Sequence, residues 1–293
     1  MFHPRVVCSS ISFRHQDLPT ALRTVQGLGF TELDLGALPG VCNHVPFVLD
    51  TQAVDEVASE VLRSGLRVRS VNGDIGDLNA RLTPVERTAR TKHLDMLLAL
   101  ASAIGAAALV LPCGAPSHDP LVSFDEDLDL IAAALGEAAD RAAAAGVEIW
   151  VEAPHFFRLC WDIDRARHLL DRVPQESVGL VMDFSHIVAS GGDPVEFVRL
   201  FSDRIRHVHL RDAVPGNINL SIGNGQVDFA AGFRALSDAG YQGRFALELE
   251  TRDVTDDQRP DATAAAARFI SRLLSDSTST PHGSPALSAH HPN

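Results

Sequence analysis

Four side chains that can bind a metal ion stand near the ends of four successive apolar segments of the sequence. They are Glu152, Asp183, His209 and Glu248. An unpaired carboxylate is costly to bury, so the carboxylates in IWVEAP and LVMDFSH call for a functional explanation. Three carboxylates and one imidazole suit a hard or borderline divalent ion with positions left for substrate oxygens. The sequence therefore predicts one divalent metal ion: Mn2+, Mg2+, Co2+ or Zn2+.

Two of these assignments have a competitor two residues away. His207 and His209 point to one face of a strand, as do Glu248 and Glu250, because side chains alternate with period two. The position at the strand end favours His209, and His207 is expected to be a deeper, hydrogen-bonded core histidine. Glu248 is preferred over Glu250, which stays the alternative.

Eight short apolar segments alternate with helix-like stretches along the chain. The predicted strands are 5–13, 31–36, 67–74, 107–114, 148–155, 178–186, 205–213 and 244–250, and the clearest helices are 84–104, 125–145 and 261–275. Such alternation predicts a parallel sheet, and eight units fit a closed (β/α)8 TIM barrel better than an open sheet. We expect one catalytic domain over 1–275 and a disordered tail over 276–293, which has no apolar periodicity.

Active sites of this barrel form at the C-terminal ends of its strands. Adjacent strands lie about 5 Å apart, so groups at four successive strand ends can meet at one point. His155 and Arg158, just beyond Glu152, are placed to bind substrate hydroxyls, a carboxylate or a phosphate. Glu32, Asp34 and His44 are equally compatible with lining the pocket and with structural roles.

Three stretches resemble the xylose isomerase-like barrel superfamily, which contains sugar isomerases and epimerases and also endonuclease IV. They are D-F-S-H at 183–186, H-V-H-L-R-D at 207–212, and G-N-G-Q-V-D-F at 223–229 continuing to G-Y-Q-G-R-F-A-L-E at 240–248. The resemblance implies that the second histidine of H-V-H and the first glutamate after G-Y-x-G are metal ligands. It also implies that His186 contacts substrate. Ketose epimerases tend to carry a glutamate where Arg158 stands, which argues against a plain free ketose.

The predicted chemistry is proton transfer at a carbon of a sugar or sugar-like hydroxy-ketone, and loss of that proton leaves an enediolate. A divalent ion can stabilise the enediolate, and Glu152 and Glu248 would be the acid and base, as the matching pair is in the epimerases that the chain resembles. Proton return gives isomerisation or epimerisation. The alternative is a lyase that loses a β-hydroxyl from the same intermediate, on a keto-inositol or dehydroshikimate-like substrate. A binding barrel without turnover is the third option.

Other functions are disfavoured by composition. Endonuclease IV-like members of the superfamily hold three zinc ions with extra histidines after strands three and four and a D-x-H before the glycine turn. In this chain, strands three and four carry Ser70, Asn72 and Cys113 instead, and Asn217 and Asn219 stand at the D-x-H positions. A net charge of −13 also argues against nucleic acid as a partner. The single lysine, Lys92, lies in a predicted helix, so Schiff-base chemistry is not expected.

The remaining expectations concern the cell and the loops. No membrane span or leader is apparent, so a cytoplasmic location and a small-molecule partner are expected, with a homo-oligomer as one open option. The four cysteines are expected to be reduced. Arg211 and Asp212 are expected to orient site residues or loops, the alternative being a surface ion pair. The glycines of G-N-G at 223–225 are weak evidence for phosphate binding.

Overall fold

A closed barrel of eight parallel strands forms the centre of the protein in a computed structural model that describes residues 1–278. The barrel strands are β1 Val6–Ser9, β2 Glu32–Ala37, β3 Arg67–Gly73, β4 Ala108–Pro112, β5 Glu148–Glu152, β6 Val178–Asp183, β7 Ile205–Leu210 and, last in the chain, β10 Phe245–Leu247. The strands run in the order β1-β10-β7-β6-β5-β4-β3-β2 around the barrel. The predicted (β/α)8 architecture is thereby confirmed, with one barrel strand in each of the eight predicted segments.

Several predicted strands end earlier in the structure than in the sequence pattern. After β1, the Ser9 side chain accepts a hydrogen bond from the Ile11 amide and begins a 3-10 turn over Ser10–Phe13. After β7, the chain forms a hairpin of β8 Asp212–Val214 and β9 Asn217–Leu220, with Gly216 at a φ of +82° in its turn. Hydrogen bonds and turns near the strand ends therefore terminate these strands before the apolar segments of the sequence end.

Nine helices cover the barrel within residues 1–278. They are α1 Leu18–Gly27, α2 Thr51–Ser64, α3 Pro84–Ala103, α4 Phe124–Ala145, α5 Ile163–Leu170, α6 Phe184–Ala189, α7 Pro194–Phe201, α8 Phe229–Asp238 and α9 Arg259–Thr278. Helix α4 shows how residues in the sequence indicate where a helix begins and ends. The Ser123 side chain caps its start by accepting from the Glu126 amide, and Gly146 ends it in the left-handed region at φ +71°.

The last helix passes the predicted domain boundary at residue 275 by three residues, because α9 ends at Thr278. No glycine or proline occurs between 261 and 280, so the sequence carries no helix stop at 275. The rest of the predicted tail, 279–293, lies outside the described residues. None of the helices in residues 1–278 is both long and apolar enough to cross a membrane.

Trp150 fills the barrel interior below the C-terminal ends of the strands. Its side chain is 1% exposed and packs in a cluster with Ala108, Val110 and Val181. Trp150 pairs in register with Gly179 on β6, where an added Cβ would lie 2.5 Å from Cδ1 of the indole. The glycine therefore makes room for the indole, and the packed interior forms a floor on which the polar residues of the barrel mouth stand.

Candidate metal centre at the barrel mouth

Four metal-binding side chains converge above this floor. Glu152 and Asp183 are the last residues of β5 and β6, His209 lies one residue before the end of β7, and Glu248 follows β10 directly. One ligand atom from each lies within 4.8 Å of every other, and all four residues are buried. The structure thus brings together the whole ligand set that the sequence predicted.

Asp183 has one oxygen engaged and one free. Its Oδ1 caps α6, accepting from the Ser185 amide at 2.6 Å, the Ser185 hydroxyl at 2.6 Å and the His186 amide at 3.2 Å. Its Oδ2 is buried without a hydrogen-bond partner in the described part of the chain, and Nη2 of Arg211 lies 3.7 Å away. A buried carboxylate oxygen without a donor is costly, so this atom suits the role of a cation ligand.

His209 lies between the two glutamates. Its Nδ1 is 3.0 Å from Oε1 of Glu152 and 3.4 Å from Oε2 of Glu248. Burial alone would lower the pKa of His209, but Glu248 and Glu152 hold it well above its usual value. In the metal-free protein a protonated imidazole therefore supplies the positive charge that three clustered carboxylates require. This donor set matches a divalent ion.

A second polar layer lies beneath the metal centre. His207 Nε2 and Asp34 Oδ2 are 2.6 Å apart, and the Ser70 hydroxyl donates to Asp34 Oδ1 at 2.9 Å. Burial would raise the pKa of Asp34, but His207, His209 and the Ser70 hydrogen bond together outweigh burial and hold the pKa below its usual value. Asp34 Oδ2 is also 3.7 Å from Nε2 of His209. His207 is thus the hydrogen-bonded core histidine that was expected.

Two other residues left open by the sequence have structural roles. Glu32 pairs with Arg67 at 2.8 Å and with Arg244 at 2.6 Å. His44 is hydrogen-bonded through Nδ1 to the Ser10 hydroxyl and through Nε2 to a main-chain carbonyl. Neither lines the cavity above the metal centre.

His155 and His186 stand beside the ligands with their rings stacked, 4.0 Å between centroids. Nδ1 of His186 accepts from the Phe156 amide at 2.9 Å, and Nδ1 of His155 accepts from the Phe157 amide at 3.3 Å. Burial, followed by neighbouring positive groups, lowers the pKa of both histidines well below the usual value. Both rings are therefore neutral, and these hydrogen bonds assign the proton to Nε2.

These two Nε2–H groups point toward the ligands. Nε2 of His186 lies 3.8 Å from Oδ2 of Asp183, and Nε2 of His155 lies 3.7 Å from Oε2 of Glu152. The distances are too long for direct hydrogen bonds. The two groups are therefore placed to donate to oxygens of a molecule bound next to the metal centre.

A cavity of about 300 Å³ opens at the metal centre, and two of the four proposed ligands, Glu152 and Glu248, line it. Arg158 lines it and is held by Asp74 at 2.8 Å and by the carbonyl oxygen of Gly114 at 2.9 Å. Apolar side chains line other parts of the wall, among them Ile11, Val41, Phe157 and Ile218. A wall with both guanidinium and apolar surface suits a small polar molecule that also carries C–H faces.

Arg211 and Asp212 follow the end of β7 directly, and both side chains are buried rather than on the surface. Arg211 is buried and donates from Nε to the Ser185 hydroxyl at 3.2 Å. Asp212 accepts from the amides of Gly223 at 2.8 Å and Val227 at 3.1 Å. The carboxylate of Asp212 thus occupies the G-N-G loop, whose Gly223 amide is not free for a phosphate.

Asn72 is a site residue that the sequence did not single out. Its Nδ2 donates to Oε1 of Glu248 at 2.9 Å, and the residue lines the cavity. From the sequence, Asn72 stood out only as a residue at a position where endonuclease IV-like proteins carry a zinc-binding histidine. The available signal was its place near the end of β3, two residues after Ser70 on the same inward face.

Comparison with proteins of known function finds relatives that are named inosose dehydratase. Inosose dehydratase from Geobacillus thermodenitrificans is 28% identical over 224 residues, which are 66% of this chain and 74% of that protein. Inosose dehydratase from Lacticaseibacillus casei is 27% identical over 147 residues, 43% of this chain and 48% of that protein. Other inosose dehydratases also match over partial lengths.

Solved structures show the same fold at low sequence identity. 3-Keto-D-glucoside 4-epimerase, YcjR, from E. coli has a TM-score of 0.71 at 19% identity and covers 90% of this chain and 99% of its own. The IOLI protein with a binding zinc atom has a TM-score of 0.74 at 17% identity, covering 94% and 100%. An L-ribulose 3-epimerase has a TM-score of 0.73 at 20% identity, covering 96% and 99%. The family model described as xylose isomerase-like TIM barrel matches residues 22–273. The chain therefore belongs to the xylose isomerase-like TIM barrel family.

Proposed function

We propose that the protein is a divalent-metal-dependent isomerase or epimerase of a sugar or sugar-like hydroxy-ketone. The observation that carries this proposal is the buried Oδ2 of Asp183, unpartnered within residues 1–278, in a cluster of three carboxylates and His209. Two members of the cluster, Glu152 and Glu248, line a cavity of about 300 Å³, the size of a small ligand. We propose Glu152, Asp183, His209 and Glu248 as ligands of one ion, with Mn2+, Mg2+, Co2+ and Zn2+ as candidates.

Within this proposal, Glu152 and Glu248 form the acid–base pair. A divalent ion bound there would supply Lewis-acid stabilisation of the negative charge that develops on a hydroxy-ketone after loss of a carbon-bound proton. Glu152 and Glu248 come from strands on opposite sides of β7 and β6, so one can remove a proton and the other can deliver one. Burial raises the pKa of Glu152 to about 7 in the metal-free protein. A divalent ion bound next to Glu152 would lower this pKa, so the side chain would be an ionised base ready to accept a proton from the substrate.

Three further residues are proposed to bind the substrate. The neutral imidazoles of His155 and His186 offer Nε2–H donors next to Glu152 and Asp183. Arg158, paired with Asp74, offers its remaining N–H groups to hydroxyl or carbonyl oxygens in the cavity. Together these donors would fix the orientation of a polyhydroxylated ring or chain relative to the two glutamates.

A dehydratase acting on a keto-polyol is the second candidate, favoured by the sequence relatives named inosose dehydratase. The same proton abstraction would then precede loss of a hydroxyl group at the β-carbon. In that reaction the glutamate that has taken up the carbon-bound proton could return it to the departing hydroxyl, which leaves as water, while the neutral imidazoles of His155 and His186 would donate hydrogen bonds to that oxygen. The two candidates therefore share the metal centre and the proton abstraction, and they differ in the fate of the carbanionic intermediate.

The test is an incubation of Mn2+-loaded protein with ketohexoses, a 3-keto-glucoside and a keto-inositol in deuterated water. An isomerase or epimerase incorporates deuterium at a carbon position and conserves substrate mass apart from the label, as NMR and mass spectrometry measure. A dehydratase forms a product that has lost water and absorbs in the ultraviolet. Chelator-treated protein is the control and should do neither. Absence of both exchange and dehydration over this panel, with metal bound, contradicts the proposed function.

A further inference from the structure

We propose that Asn72 is a positioning residue, one that orients Glu248 for metal binding and proton transfer. This inference rests on the proposed function and adds to it a residue outside the predicted ligand set. Asn72 Nδ2 donates to Glu248 Oε1 at 2.9 Å, and both side chains are 5% exposed. The hydrogen bond is buried and well within the normal range for an N–H donor to an oxygen.

The bond crosses the barrel mouth. Asn72 lies near the end of β3 and Glu248 follows β10, and the barrel order places β1 and β2 between these strands. It therefore does not join neighbouring strands and contributes nothing to the sheet ladder. Its effect is local to the carboxylate that it holds.

The hydrogen bond distinguishes the two oxygens of Glu248. Oε1 accepts from Asn72, whereas Oε2 lies 3.4 Å from Nδ1 of His209 and faces the other ligands. A glutamate side chain has several rotatable bonds, and fixing it costs conformational entropy. A buried donor on Oε1 supplies part of this ordering before substrate or ion arrives, as supporting residues do for metal ligands.

Glu152 has no equivalent amide partner within residues 1–278. Its Oε1 is 3.0 Å from Nδ1 of His209, and its Oε2 is 3.7 Å from Nε2 of His155. The two glutamates of the proposed acid–base pair are thus held by different neighbours. Asn72 gives Glu248 a fixed, non-titrating support, while Glu152 is flanked by these two imidazoles.

The test compares Asn72→Leu with wild type, because leucine has a similar branched shape and lacks the N–H donor. Asn224→Leu is the matched control: the Asn224 amide also donates to a carboxylate, Asp253, at 2.9 Å, but on the exposed surface. The readouts are the Kd for Mn2+ alone, measured by calorimetry, the melting temperature, and kcat and KM for solvent hydrogen exchange into substrate.

We expect Asn72→Leu to weaken Mn2+ binding about 10-fold or to lower kcat about 10- to 100-fold, in the range for residues that support metal ligands. KM should change little, because the loss concerns Glu248 and not the substrate contacts. The Asn72→Gln variant keeps an amide donor and should recover part of the loss. Asn224→Leu should match wild type in Kd and kcat.

If Asn72→Leu does not fold, Asn72→Ala removes the same donor without a branched side chain and is measured instead. A Kd and a kcat that both equal the wild-type values in a folded variant overturn the inference. Equal losses in the Leu and Gln variants also overturn it, because the donor would then be irrelevant. Wild-type protein that binds Mn2+ but exchanges no substrate hydrogen contradicts the proposed function instead, and the Kd still decides the role of Asn72.

Discussion

The imidazole of His209 and the carboxylate of Glu152 are 3.0 Å apart between Nδ1 and Oε1, and both residues are buried. Both hold a proton more tightly than usual. Burial raises the pKa of Glu152 to about 7, and the surrounding carboxylates outweigh burial to raise that of His209 well above its usual value. A metal ion that binds here has to displace this protonation.

Metal affinity is therefore expected to rise with pH. Below pH 7 both groups are protonated in the metal-free protein, and the ion competes with those protons. Above this value Glu152 is ionised, and only the His209 proton remains to be displaced. We expect the affinity for Mn2+ to fall by up to about tenfold per pH unit for each proton displaced as the pH drops from about 7.5 to about 5.5. Calorimetry in buffers of different ionisation enthalpy measures the proton release, and a pH-independent Kd would contradict this electrostatic account.

One ion per chain is the expected stoichiometry, because four ligand atoms lie within 4.8 Å of one another around a single point. A ligand present at about 100 times its Kd stabilises the folded state by about 2.7 kcal/mol, so Mn2+ should raise the melting temperature. Elemental analysis after gel filtration checks the count. Three zinc ions per chain, or no metal after Mn2+ loading, would show that the cluster is not a mononuclear site.

Asp183→Asn separates the charge of this ligand from its structural role. Asparagine is as good a helix cap as aspartate, so α6 should keep its start at Phe184. The buried Oδ2, which has no donor among the described residues, is lost as an anionic ligand. We expect a folded variant, by circular dichroism, with Mn2+ affinity at least about 10-fold weaker. Unchanged affinity would mean that the ion binds elsewhere, for instance nearer the group of Glu152, His155 and His186.

The convergence of the four proposed ligands could be predicted from sequence because its causes are local. Glu152 and Asp183 interrupt apolar strands at their ends, and parallel strands of a barrel bring their C-terminal ends to one rim. The bond between Asn72 and Glu248 could not be predicted in this way. It joins residues 176 positions apart in the chain, on strands that are not neighbours. Whether such ends meet depends on how the barrel closes and on the stagger of its strands, which no local pattern encodes.

The loop after β7 illustrates a second limit. The apolar character of 205–213 predicts a longer strand, but the chain turns at Gly216 into the hairpin of β8 and β9. Asp212 then gathers the amides of Gly223 and Val227 around its carboxylate. Such a side-chain-centred loop is decided by tertiary hydrogen bonds. The G-N-G glycines were only weak evidence for phosphate binding, and the carboxylate that the loop surrounds could not be inferred from them.

The fit between Trp150 and Gly179 should be visible in stability. An alanine at 179 would place its Cβ 2.5 Å from Cδ1 of Trp150 and 2.6 Å from Cγ of Arg206. Overpacking of this kind typically costs about 1–3 kcal/mol, which exceeds the gain of about 0.5–1 kcal/mol from replacing a strand glycine. Urea unfolding should therefore show a lower free energy of unfolding for Gly179→Ala.

Gly136→Ala is the matched control for that experiment. Gly136 lies within α4, and an added Cβ there meets no atom within 4 Å among the described residues. This variant should be stabilised by about 0.5–1 kcal/mol, because alanine is the better helix former. Opposite signs for the two substitutions would support the packing argument. A Gly179→Ala variant as stable as wild type would mean that Trp150 moves without cost and does not form a fixed floor for the metal centre.

The acid–base roles of the two glutamates can be separated from their roles as ligands. Glu152→Gln and Glu248→Gln keep an oxygen that can bind the ion but remove the base. Turnover should then drop by about 10²-fold or more, the usual contribution of general acid–base catalysis, with a smaller loss of metal affinity.

His209→Ala should act differently, because it removes the nitrogen that lies between the two carboxylates and leaves their repulsion uncompensated. Its first effect should be loss of bound metal, with activity lost in proportion. Measuring bound Mn2+ alongside the exchange rate in each variant distinguishes the two classes. A Glu152→Gln protein with full metal and near-normal exchange would contradict the two-base mechanism and place the proton-transfer group elsewhere in the cavity, with His155 as the first residue to test, since its Nε2 lies 3.7 Å from Oε2 of Glu152.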